Sequence, residues 1–76
     1  MEDLYIYHKK FGKCKVLAFY QNIAILELKN NYEKFVVTIG LSKKTNSWQR
    51  GFYYKHYEDA FATYNNFLDD FYQVFL

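Results

Sequence analysis

Apolar and polar positions alternate with a period of two through the first two-thirds of the chain and with a period near 3.6 at its end. The alternation predicts strands near 4–9, 14–20, 23–29 and 33–41, then a short aromatic strand near 51–55. A helix is expected from about 58 to 75. Phe11-Gly12, Gln21-Asn22 and Asn30-Asn31 sit between the strand segments. Gly and Asn tolerate the positive φ that two-residue hairpin turns demand. Counting outward from these turns sets Tyr7 against Val16, Leu17 against Leu26, Leu26 against Phe35 and Glu27 against Lys34.

That register gathers Leu4, Ile6, Leu17, Phe19, Ala24, Leu26, Leu28, Phe35, Val37, Ile39 and Leu41 on one face. A slip of one residue would scatter the set over both faces. On the helix, Phe61, Tyr64, Phe67, Leu68, Phe71, Val74 and Phe75 share an arc with Ala60, and Asp59, Thr63, Asn65, Asn66, Asp69, Asp70 and Gln73 lie opposite. Glu58 and Asp59 fall in the first turn, where they complement the helix dipole. The expected fold is α+β: an antiparallel meander sheet of four to five strands with one long C-terminal helix packed on one face. A single domain, 1–76, is expected.

The reverse face in the same register carries Tyr5, Tyr7, Lys9, Cys14, Val16, Ala18, Tyr20, Ile23, Ile25, Glu27, Lys34, Val36 and Thr38. It is too apolar for open water and too polar for a deep core, and its tyrosines have the composition of an interface. Three readings stay open: a partner protein binds there, two copies of the chain pair there, or the segment carrying Trp48 folds back over it.

Composition narrows the function classes. Half of the 76 residues are hydrophobic and a quarter aromatic, which excludes disorder. The lone Cys14 excludes an internal disulfide and a multi-cysteine zinc site, and points to a reducing cytoplasm. The chain opens on acid, Met1-Glu2-Asp3, with no apolar stretch following, so a secretory leader is not expected. No segment has the roughly 18 uninterrupted apolar residues of a membrane span. Charge is unevenly placed: residues 1–56 hold ten bases against four acids, whereas 57–76 hold Glu58, Asp59, Asp69 and Asp70 and no base. Such a division either steers partners or simply keeps the surface solvated.

Catalytic chemistry finds little support. His8 and His56 have no metal-ligand companion at helical spacing, and the derived register turns Cys14 away from His8. The paired acids lie on a helix exterior where nothing raises their pKa. Gly12, Gly40 and Gly51 are too far apart for a phosphate loop. No enzyme activity, metal or cofactor is expected.

Trp48-Gln49-Arg50-Gly51-Phe52-Tyr53, followed by Glu58-Asp59-Ala60-Phe61, resembles a segment of small proteins from phages and mobile elements of low-GC bacteria. These carry Trp-x-x-Gly-aromatic-Tyr and then an acidic-Ala-apolar helix start. The resemblance covers about the last third of the chain. It implies an anti-CRISPR-like function: a small stoichiometric inhibitor of a nucleic-acid-guided nuclease in a bacterial host cytoplasm, with a CRISPR effector as protein target. It assigns no binding residues. The residues themselves offer Tyr5, Tyr7, Lys9 and Tyr20 on the sheet and Glu58, Asp59, Asp69 and Asp70 on the helix for a protein partner. The alternative is an RNA- or single-stranded-DNA-binding module, with Lys43, Lys44, Arg50 and Lys55 beside aromatics.

Overall fold

In the computed structural model, residues 4–29 and 31–74 are described, with side-chain surroundings given through Asp69. Their order is β1 (Leu4–His8), β2 (Gly12–Tyr20), β3 (Ile23–Leu28), β4 (Phe35–Ile39), β5 (Arg50–Tyr54) and α1 (Tyr57–Val74). The five strands form one antiparallel sheet in the order β1-β2-β3-β4-β5, and α1 packs against β3, β4 and β5. This is the expected α+β meander with a C-terminal helix. Among the described residues no helix is long and apolar enough to cross a membrane.

The registers depart from expectation, and the turns explain why. Gln21-Asn22 is a two-residue turn that pairs Tyr20 with Ile23, and its positive φ of 56° falls on Gln21. The first hairpin instead uses Lys9, Lys10 and Phe11, pairing His8 with Gly12, which takes φ 76°. His8 Nδ1 organises that turn by accepting hydrogen bonds from the backbone N–H of Lys10 (3.0 Å) and Phe11 (3.4 Å). Tyr7 therefore faces Lys13, not Val16.

The third connection is also longer than two residues. It runs from 29 to 34, closed by Leu28 N–H donating to Lys34 O at 2.7 Å. Asn31 Nδ2 donates to Glu33 O, while Asn30 lies outside the described residues. Leu26 consequently pairs with Val36 and Glu27 with Phe35, one residue away from the expected Phe35 and Lys34. A bulge between Val16 and Ala18 sets Val16 against Leu26 and Ala18 against Ile25. Leu17, expected in the core, is the extra residue and is exposed.

These offsets split the expected apolar face in two. Ala18, Ile23, Ile25, Phe35, Val37, Phe52 and Tyr54 lie under the helix with Ala60, Tyr64, Phe67 and Leu68. Leu4, Ile6, Val16, Ala24, Leu26, Leu28 and Val36 lie on the other side, with Cys14 among them. On β1, on β3 and on β2 beyond the bulge the helix side is thus the face opposite the one expected, whereas Phe35 and Val37 of β4 lie beneath the helix as expected. Only Lys55 and His56 separate β5 from α1, so the helix must land on the side to which that short connection turns. Phe61, assigned to the core by periodicity, is 40% exposed, and the side chains of Phe71, Val74 and Phe75 lie outside the described residues.

The second apolar face is closed by the β4–β5 connection. A bridge between Ser42 and Ser47 tightens this segment into a hairpin. Trp48 then stacks on His8 at a centroid distance of 4.4 Å and on Phe11 at 5.9 Å, and Leu41 and Tyr53 pack beside them. Trp48 Nε1 donates to Tyr53 Oη at 3.3 Å. A Cβ at position 51 would lie 2.8 Å from Tyr53 Oη and 2.9 Å from Trp48 Nε1. Glycine in Trp-x-x-Gly-aromatic-Tyr is what lets the two rings close over the strand. The hairpin also reaches the sheet edge, where Asn46 Oδ1 accepts from Tyr7 N–H at 3.0 Å and occupies an edge donor otherwise open to pairing.

Candidate binding groove

With both sheet faces committed to packing, the surface of interest lies where the helix stops. Alternation along β1 and β2 directs Tyr5, Tyr7, Lys13 and Lys15 to the helix side of the sheet, but α1 packs over β3–β5. Cross-strand pairing extends this region into a row, Tyr5–Lys15–Glu27–Phe35–Tyr54, at right angles to the strands. At ordinary strand spacing the row spans about 19 Å.

A cavity of about 410 Å³ opens along it, lined by Tyr5, Lys13, Lys15, Glu27, Leu28, Lys29, Lys34 and Phe35. Four lysines face one glutamate, so the groove is electropositive. Lys13 Nζ sits 4.2 Å from the Tyr5 ring centroid, a cation–π contact that props the ammonium at the rim. Lys34 Nζ donates to Lys29 O at 3.5 Å. Beyond Phe35, Lys55 Nζ lies 4.5 Å from the ring of the exposed Tyr32. Lysines with apolar stems against aromatic rings suit a flexible anionic ligand that also offers flat apolar surface.

Of the residues singled out from sequence, Tyr5 lines the groove, and Tyr7 stands exposed beside it on the same strand face. Lys9 is exposed in the first turn, and Tyr20 lies at the far end of β2. Glu58, Asp59 and Asp69 are exposed on α1; the side chain of Asp70 lies outside the described residues. The basic set is not brought together. Lys43 and Lys44 belong to the Ser42–Ser47 hairpin, Arg50 opens β5 with its guanidinium 5.9 Å from the Phe52 ring, and Lys55 follows the other end of that strand. The groove lysines Lys13 and Lys15 went unassigned, although their i, i+2 spacing on a strand puts them on one face whatever the register.

Cys14 requires a correction. It pairs with Ile6 and so shares a face with His8, from which the expected register turns it away. It is fully buried, its thiol donates to Gly12 O at 3.3 Å, and burial pushes its pKa above the usual 9.0, against a smaller lowering from the His8 backbone. Such a thiol is a poor nucleophile. Burial also raises the Tyr64 hydroxyl above its usual 10.0. Both groups favour the neutral form in the folded chain, so their contribution is complete below their unfolded pKa values and is lost as pH rises through the folded ones. The thermal midpoint should fall above pH 9, and a disulfide reagent at neutral pH should label Cys14 at the rate of global unfolding; immediate labelling of the native protein would contradict this burial. Among the described residues no three His, Cys, Asp or Glu side chains converge as metal ligands. Comparison with family models, curated proteins and solved structures returned no match.

Proposed function

We propose that the protein is a non-catalytic binding module that holds single-stranded nucleic acid in the groove between the β1–β2 end of the sheet and Phe35. The observation that carries this reading is the row of lysines and aromatic rings on one open face: Lys13, Lys15, Lys29 and Lys34 around Tyr5 and Phe35. Lysines neutralise phosphates without reading sequence, and rings stack on any base. A duplex suits the groove less well, because its bases are already stacked and closed to the rings.

Titration of a labelled oligothymidylate by fluorescence anisotropy at several salt concentrations tests the reading. Four neutralised phosphates should give a slope of log affinity against log salt of about −3. Binding that is absent at low salt, or indifferent to salt, would overturn it.

A second reading, an inhibitor of a bacterial defence nuclease, draws on the sequence resemblance and on the helix exterior. Glu58 and Asp69 project to the same side of α1, about 16 Å apart along the axis, and both are exposed. They would meet a basic groove on the nuclease that ordinarily holds nucleic acid. Between them stand Ala62, Asn65 and Asn66, so the acidic track is sparse compared with the lysine groove.

A further inference from the structure

Aromatic rings continue past the end of the groove in a ladder. Phe35, which lines the groove, meets Tyr57 edge-on at 5.6 Å; Tyr57 stacks on Phe61 at 5.5 Å and 19°; and Phe61 stacks on Tyr64 at 6.5 Å and 25°. The ends of the ladder are anchored, since Tyr64 is 6% exposed and Phe35 is half-buried. Its middle is not: Tyr57 and Phe61 are 41% and 40% exposed. Packing beneath the helix does not account for two adjacent large rings left in water at the mouth of a cationic groove.

We propose that Tyr57 and Phe61 form a base-stacking subsite for the strand held in the lysine groove, so that the ligand is recognised as a nucleobase polymer and not as a polyanion alone. This rests on the groove reading of the preceding subsection. Charge complementarity fixes the ligand's orientation. Phosphates are drawn to Lys13, Lys15, Lys29 and Lys34, whereas the exposed Glu58 and Asp59, adjoining Tyr57 in the chain, repel them. At the helix the strand must therefore present its uncharged bases, whose faces match the exposed rings.

The test compares three probes on the full chain by anisotropy or competition: oligothymidylate, an abasic oligomer of equal length, and inorganic polyphosphate. The wild type should prefer oligothymidylate. Replacing both rings by leucine (Tyr57→Leu with Phe61→Leu) keeps apolar bulk on the helix while removing the π-faces. It should weaken oligothymidylate binding on the order of thirtyfold and leave abasic and polyphosphate binding unchanged. An equal loss on all three probes in the variant, or no loss on any, would overturn the stacking subsite while leaving the groove reading intact; equal affinity of the wild type for all three would overturn both. Failure of every probe to bind at low salt would remove the groove reading and this inference with it. Circular dichroism of the variant establishes that any loss is not unfolding.

Discussion

Ile25→Ala and Leu26→Ala should each destabilise the fold by about 2–4 kcal/mol in urea or thermal unfolding. The two residues are neighbours on β3 and point to opposite faces, yet both are fully buried. Ile25 lies under the helix with Val37, Ala60 and Tyr64, and Leu26 lies under the Trp48 segment with Ile6, Cys14 and Val36. Each truncation strips methyl and methylene groups from a packed site and leaves a cavity that a sheet held on both sides cannot close. A sheet with one wet face behaves otherwise: one of the adjacent pair is costly and the other nearly neutral. A mild Ile25→Ala beside a severe Leu26→Ala would mean that the helix side is not a packed core.

The second large effect is on binding. Lys13→Glu combined with Lys34→Glu should weaken oligothymidylate binding about a hundredfold, each lysine contributing about 1.5 kcal/mol through a charge-assisted hydrogen bond. Lys13 lies in the β1–β2 half of the groove and Lys34 beside Phe35, so the pair brackets the proposed path of the strand. The salt slope should flatten at the same time, by about 0.7 for each phosphate that is no longer neutralised. Lys43→Glu combined with Lys44→Glu makes the same change in net charge on the Ser42–Ser47 hairpin, whose lysines do not line the groove. Equal weakening by the two double variants would show that only overall charge matters.

The elements were legible in the sequence to within two residues at their ends, because period-2 and period-3.6 patterning survives any error in pairing. Register was not. The Gln21-Asn22 turn has two residues, as its sequence suggests, but Gly12 serves a three-residue turn built on the ring of His8, and residues 29–34 form one longer connection. A bulge at Leu17 leaves no mark in the apolar pattern, since Leu17 is itself apolar. Odd offsets exchange the faces of a strand. Hydrophobicity could not arbitrate here, because both faces are apolar: one is filled by α1 and the other by Trp48 and Phe11.

The site was half legible for the same reason. Tyr5, expected on the face away from the helix, lies half-buried on the helix side at the groove, and Lys43, Lys44, Arg50 and Lys55, neighbours in sequence, are not brought together by the fold. The groove instead unites β1, β2, β3 and β4 through a cross-strand row that only the true register reveals. Tyr57 opens the helix just past the last strand, and Phe61 shares the angular sector of the buried stripe. Their exposure depends on how far the helix overhangs the sheet, which periodicity does not encode.

Backbone amide chemical shifts followed while oligothymidylate is added at low salt give the most direct test of where a ligand sits. Movement concentrated at Tyr5, Lys13, Lys15, Glu27, Lys34 and Phe35, continuing onto Tyr57 and Phe61, with Asp69, Lys43 and Lys44 still, is the expected result. Shifts confined to the helix exterior or to the Ser42–Ser47 hairpin, or none at all, would contradict it.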